Sequence, residues 1–355
     1  MNIAIFIISL AIIVLLHELG HFIAGKFFKV KVEEFGIGFP PRILKLKHKE
    51  TIYSINSIPL GGFVKFSGED NPNDPQSLES KPAYQRFIII AVGPLINLVL
   101  AIILFSSIYM IPRDAIHGDI AINSVAVNSP AEIAGVLPGD IIKIIHDEKI
   151  KSPYQVEYLL NYHQNNYLKW EMIRDNQNVA VELKPIYDNT QKKYIAGINL
   201  EIVDPYKVSI RYNPLQSLQK GTSTMIDFVI MTKNEISSAI TGTKPLVIAG
   251  PIGMAQAYQE LNTQNNFSLK QKILFTINLM AIINLTLAIF NFLPIPALDG
   301  GRLFFILIEM IRGGKKISIM TERLIHVAGF FTLIMLAIII SWADLMRIFN
   351  GESIL

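Results

Sequence analysis

Long apolar runs alternate with polar stretches along this chain, and the alternation sets the expected architecture. Four runs are apolar all round and long enough to cross a bilayer, which takes about 20 helical residues: roughly 2–25, 84–111, 272–293 and 324–346. Between the second and third runs the pattern changes. Short β-rich runs at 120–127, 141–145, 167–174 and 178–183 surround one amphipathic helix near 154–162, and 190–212 continue as strands. The stretch 214–241 then carries Leu215, Leu218, Met225, Phe228, Val229, Ile236 and Ile240 on one side, the pattern of a helix lying along a membrane surface. A loop at 246–254 leads into a further helix. The expected fold is a multi-pass α-helical membrane protein with four transmembrane helices, a re-entrant β-hairpin and an inserted α/β domain. Its parts are 1–111, 112–190, 191–270 and 271–355.

The hairpin is expected at 52–66, where short β-prone runs flank Gly61-Gly62. Its apolar character beside the first span suits either a dip to membrane depth, where other segments or water satisfy its backbone, or a hairpin lying on the membrane surface. The polar, proline-containing stretch 69–81 reads as an exposed loop.

Composition agrees with a membrane protein. Of 355 residues, 51% are hydrophobic and 17% charged, with mean hydropathy +0.38, against about 25% charged in a typical soluble domain. A net charge of +3 gives no bulk attraction for nucleic acid. The absence of cysteine excludes a disulfide framework, a thiolate zinc site and a cysteine nucleophile. The first run has no basic leader and no small-residue cleavage site before Lys26, so it reads as a retained span. Lys and Arg gather in two loops, from Lys26 to Arg86 and from Arg302 to Arg323. The positive-inside rule places both loops in the cytoplasm, leaving both termini and 112–270 outside.

Chemistry enters through His17-Glu18-Leu19-Gly20-His21. On a helix, residues four apart lie one above the other, so both imidazoles can reach one metal ion. Glu18 beside them can take a proton from a metal-bound water. The alternative is a pair of polar histidines packed in a helix bundle. A catalytic zinc usually has three protein ligands, and the only acidic residue just beyond the third span is Asp299, in Asn291-Phe-Leu-Pro-Ile-Pro-Ala-Leu-Asp299-Gly300-Gly301. The predicted orientation puts it on the same membrane face as the histidines, so they can meet. A loop aspartate capping the next helix is the competing reading.

The stretch Ser129-Pro130-Ala131 through Ala134-Gly135 to Gly139-Asp140-Ile141 resembles a PDZ domain, which implies a peptide ligand bound by strand addition or a module that filters access. With Gly93-Pro94-Leu95-Ile96-Asn97 on the second span, the motif set is similar to the site-2 protease family of intramembrane metalloproteases, M50-type, over nearly the whole chain. The resemblance implies one zinc ion held by His17, His21 and Asp299, with Glu18 as catalytic base. It also implies cleavage of single-span membrane proteins and a bacterial inner-membrane location, with the active site toward the cytoplasm. Asn291, Asn97 and the hairpin positions Ile55, Gly61, Gly62 and Val64 are the expected substrate-binding residues. One departure stands out: a single PDZ signature is present, where the best-known bacterial members carry two. A metal transporter and a non-catalytic scaffold or chaperone remain as alternatives. The first leaves the PDZ-like region unexplained, and the second has no need of a full ligand set with a base.

Overall fold

The computed structural model describes residues 2–68, 74–164, 166–191, 193–241, 250–263 and 268–350. In chain order the elements are α1 (Asn2–Phe27), β1 (Val32–His48), β2 (Thr51–Phe66), α2 (Ala83–Met110), β3 (Arg113–Val125), α3 (Pro130–Ile133), β4 (Ile141–Ile145) and β5 (Glu148–Lys149). They continue with α4 (Pro153–His163), β6 (Leu168–Arg174), β7 (Gln177–Leu183), β8 (Ile186–Asp188), β9 (Lys193–Ile195), β10 (Ile198–Ile210), α5 (Pro214–Ile240), α6 (Pro251–Thr263), α7 (Leu269–Phe292), α8 (Asp299–Ile311) and α9 (Ile319–Phe349). Two compact units result: Met1–Ile108 with Ile248–Leu355, and Tyr109–Val247.

In the first unit, α1, α2, α7 and α9 have the length and apolarity of membrane spans. Large apolar side chains stay exposed along them, Ile12, Ile103, Phe331 and Ile338 among others, a surface suited to lipid rather than water. The helices meet through small residues. A Cβ on Gly20 would stand 2.7 Å from Ile96 and 3.2 Å from the Val92 carbonyl, so glycine there lets α1 and α2 approach closely. Phe6 and Ile13 of α1 pack with Tyr258 of α6 and with Met280 and Ile283 of α7. Helix α9 is tied to α6 by Asp344, which is fully buried and accepts the Gly253 N–H at 2.8 Å, satisfying an amide in the first turn of α6.

The hairpin of β1 and β2 is longer than expected and turns more than once. One reversal lies at Lys49-Glu50, and each strand folds back on itself so that Phe35 pairs with both Tyr53 and Val64. Ile55 is paired on both sides, with Ile37 and Leu44, so its backbone is not a free edge. Gly61-Gly62, expected as the turn, lie within β2. Gly61 has φ +84, and a Cβ there would stand 2.7 Å from Val14 of α1; one on Gly62 would stand 2.7 Å from the Gly36 carbonyl. Segments 52–55 and 62–65 run in opposite directions beside 34–37, so the chain also doubles back between Ile55 and Gly62, and the pair lies where that second reversal rejoins the sheet. The segment joining the third and fourth apolar runs, expected as a basic loop, contains α8, whose Leu303 and Ile306 pack on Ile90 of α2. Nearby, Arg86 and Glu309 form a buried ion pair in which Arg86 Nη2 donates to both carboxylate oxygens, at 2.5 and 2.6 Å. Of the expected loop at 246–254, residues 246–249 lie outside the described residues and 251–254 instead begin α6, where Pro251 opens the helix; 69–73 of the expected polar loop also lie outside.

The second unit is built on an antiparallel sheet ordered β10-β3-β4-β6-β7, with β5 on β4. Its core is apolar: Ile120, Ile142, Leu168, Trp170 and Met172 pack with Val156, Leu159 and Leu160 of α4. The turn between α3 and β4 is held by one carboxylate. Asp140, 1% exposed, accepts from Arg174 Nε and Nη2, both at 2.7 Å, and from the Leu137 N–H at 2.9 Å. Gly135 and Gly139 at φ +79 and +91 supply the left-handed backbone this turn needs.

Candidate metal centre

The site forms where the middle of α1, the α2 segment Ile89–Asn97 and the start of α8 converge. Helical spacing stacks His17 and His21 on the inner face of α1, both 7% exposed. Their Nε2 atoms are 3.2 Å apart. Asp299 Oδ2 completes a triangle, 3.0 Å from His17 Nε2 and 3.2 Å from His21 Nε2. Among the described residues, these are the one group of three His, Asp or Glu side chains placed to share an ion.

The other edge of each imidazole explains why Nε2 faces inward. His21 Nδ1 is 2.9 Å from the Ile89 carbonyl and can only donate to it, which leaves the Nε2 lone pair free. His17 Nδ1 lies 3.2 Å from the side-chain amide of Asn97, 1% exposed. In this orientation the Asn97 amide oxygen is buried without a partner among the described residues. Turning that amide end for end places the oxygen on the His17 Nδ1–H and satisfies both groups. Two inward lone pairs and a carboxylate oxygen within 3.2 Å repel unless a cation lies among them. Zinc bonds of about 2.0–2.1 Å at tetrahedral angles separate ligand atoms by about 3.3 Å, so the triangle has the dimensions of such a site.

The Gly-Pro-x-x-Asn segment of α2 accounts for the rest of the geometry. A Cβ on Gly93 would lie 2.3 Å from His21 Nε2 and 2.9 Å from His17 Cε1, so only glycine leaves room for both rings. Asp299 is the first residue of α8, where the helix dipole favours a carboxylate. The turn before it is tightly packed. Ala297 has φ +76, its N–H is accepted by His326 Nδ1 at 2.9 Å, and Gly329 of α9 lets that helix lie on Pro296. A Cβ on Gly300 would stand 1.9 Å from the Leu293 carbonyl. His326 has no expected role in the sequence, and its part in holding this turn could not be read there.

Glu18 lies on α1 between the two histidines and is half-buried. The Val64 N–H bonds to its carboxylate, and a Cβ on Gly62 would come within 3.8 Å of its Cγ. The 62–66 segment of β2 therefore presents its outer edge to Glu18, while Phe35 pairs with its inner edge. Asn291, in the last turn of α7, is half-buried. Asn97, expected to contact substrate, lies instead behind the metal ligands.

Comparison with known proteins agrees with this chemistry. The family model of peptidase family M50 matches residues 5–336. A Clostridium acetobutylicum protein assigned as a zinc metalloprotease is 30% identical over 98% of both chains. The Bacillus subtilis regulator of sigma-W protease RasP is 25% identical, over 97% of this chain and 98% of that one. Among solved structures, a PDZ domain of an SdrC-like protein from Listeria monocytogenes is 20% identical with a TM-score of 0.21, covering 23% of this chain and 85% of that one. With its ligand triangle, adjacent glutamate and apolar helices, the chain belongs to peptidase family M50 and is an intramembrane zinc metalloprotease of the site-2 type.

Proposed function

We propose that the chain holds one zinc ion through His17 Nε2, His21 Nε2 and an Asp299 oxygen, and hydrolyses peptide bonds within the membrane segments of single-span proteins. Anti-sigma factors or signal-peptide remnants are substrates of this kind. The observation that carries the reading is the ligand triangle beside Glu18, reached along the outer edge of 62–66. Zinc bound there supplies a water of pKa about 7 and a Lewis acid for the scissile carbonyl. Glu18 takes the proton of the attacking water and returns it to the leaving amine. Asn97 holds the His17 ring in the tautomer that presents Nε2, and Gly93 leaves the rings their space.

A substrate helix has its carbonyls hydrogen-bonded and shielded, so the bond to be cut must first unwind. The edge of 62–66 can pair with the extended segment and offset its lost helical bonds. This makes Gly61, Gly62 and Val64 the substrate-facing part of a re-entrant hairpin, with Asn291 as a further contact to substrate backbone. Ile55 supports that sheet from its interior. The positive-inside rule places the hairpin, the metal ligands and α8 toward the cytoplasm of a bacterial inner membrane, and the unit Tyr109–Val247 outside. That unit is read as PDZ-like, taking an extended peptide by strand addition. Its support is the Ser129 to Asp140 signature, which forms a capped turn leading into β4.

The test is cleavage of a single-span substrate by purified protein, comparing wild type with Glu18→Gln at equal zinc content. Loss of a general base lowers turnover by about 10²–10⁴-fold. Equal turnover in the two proteins refutes the mechanism.

A further inference from the structure

A second cavity, about 510 Å³, opens between the first turns of α2, the length of α8 and the first turns of α9. The metal ligands do not line it. Its wall is amphipathic, with Phe305, Val327 and Phe330 on the apolar side. Four cationic side chains and three carboxylates share the rest. Most of these charges are already matched: Arg86 grips Glu309, and Lys316 grips Glu79 at 2.8 Å. Glu322 lies in the mixed field of Glu79, Arg302, Arg86 and Glu309. Arg302 and Arg323 are exposed and form no ion pair among the described residues.

The wall also contains a donor with nothing to receive it. His326 Nδ1 accepts the Ala297 N–H, so in the neutral ring the proton sits on Nε2. His326 lines the cavity, and its Nε2 is buried with no partner among the described residues. A buried donor left without an acceptor is unfavourable, and such groups point to a water or ligand. Two unpaired guanidinium groups, an N–H donor and an apolar wall suit one chemistry, a phosphate anion carrying a hydrocarbon chain.

We propose that this cavity binds the phosphate headgroup of an anionic membrane phospholipid, with Arg302 and Arg323 neutralising the phosphate, His326 Nε2–H donating to it, and the apolar wall taking the start of an acyl chain. Basic pockets between helices at a membrane face are the setting in which such headgroups are held. The bound headgroup fixes the His326 tautomer that accepts from Ala297, two residues before Asp299. The inference rests on the membrane-spanning reading only for the lipid's route to the cavity.

The test is native mass spectrometry of the full-length, zinc-loaded protein released from nanodiscs holding equal phosphatidylglycerol and phosphatidylcholine. Wild type retains phosphatidylglycerol in preference to phosphatidylcholine. Arg302→Gln and Arg323→Gln each lower that retention about fivefold, and His326→Leu lowers it as well. Both arginines are exposed, so their replacement opens no core. Equal retention of the two lipids by wild type, or unchanged retention in the Arg302→Gln/Arg323→Gln protein, overturns the proposal. Displacement of the lipid by excess inorganic phosphate overturns the lipid assignment in favour of the free ion. Zinc content and substrate cleavage are read separately, so a protein that fails as a protease can still retain the lipid, and the reverse.

Discussion

The two units bury polar groups for different purposes. In the sheet unit, Ile120, Ile142, Leu168, Trp170 and Met172 make an apolar core, Asp140 is fully satisfied by Arg174 and the Leu137 amide, and among the described residues only the Trp170 indole N–H is buried without a partner. In the helical unit, His17, His21, Asn97, Asn284, Arg86 and Glu309 are all buried, and among the described residues the amide oxygen of Asn284 lacks a partner. A core that only has to be stable satisfies or excludes nearly all of its polar atoms. A core that has to hold an ion keeps lone pairs free and converging, and pairs the remaining charges at its margin. The helical unit is thus the less self-sufficient of the two, completed by metal.

That contrast can be broken in four places. The largest effect belongs to Gly93→Val, which drives a branched side chain into both imidazoles. Zinc content and turnover should fall together, beyond the about 10–100-fold that changes behind the ligands produce; a Gly93→Val protein that retains stoichiometric zinc by atomic absorption would show the rings are not so confined. Next is Arg86→Leu, which strands the buried Glu309 carboxylate. The expected loss is about 3–5 kcal/mol in a denaturation measurement in detergent, with much of it recovered in Arg86→Met/Glu309→Leu.

Asn97→Leu tests the tautomer assigned to His17. Chelator competition should show zinc held about 10–100-fold more weakly, with Asn97→Asp affected less because it keeps an acceptor. Equal weakening by both substitutions would favour mere packing. The smallest effect lies in the sheet unit. Asp140→Asn should cost about 1.5–3 kcal/mol of that unit's stability. Burial pushes the Asp140 carboxyl up, but bonds from Arg174 and the Leu137 N–H outweigh it and hold the group below its ordinary 3.8. The stabilisation is therefore complete above that value and is lost as pH falls through the lower folded one. Thermal unfolding between neutral pH and the acid range should show this dependence in wild type and lose it in the variant.

Much of the site was legible because chemistry and topology converged on it. His17 and His21 share a helix face, and Asp299 follows a span whose basic flank matches that of the first. The hairpin was harder. A glycine pair is an ordinary turn signal, and the chain does double back just before Gly61 and Gly62, which also allow the approach to Val14 and the Gly36 carbonyl; the other turn, at Lys49 with φ +52, is made without glycine and carries no such signal. Helix α8 was hidden because thirteen residues are too few to register as a span, and its apolar face was embedded among arginines and lysines. The Arg86–Glu309 pair joins positions 223 apart, a contact no local pattern can announce.

Asp344 bears on how the protein is made. Its carboxylate, carried near the end of the last span, is the acceptor for an amide in the first turn of α6. A nascent chain reaches α6 about ninety residues earlier, and through that interval of synthesis the Gly253 amide must find water or another acceptor. Closure of the α6–α9 contact thereby waits until α9 has been made, and a chain cut short before residue 344 lacks the group that completes it.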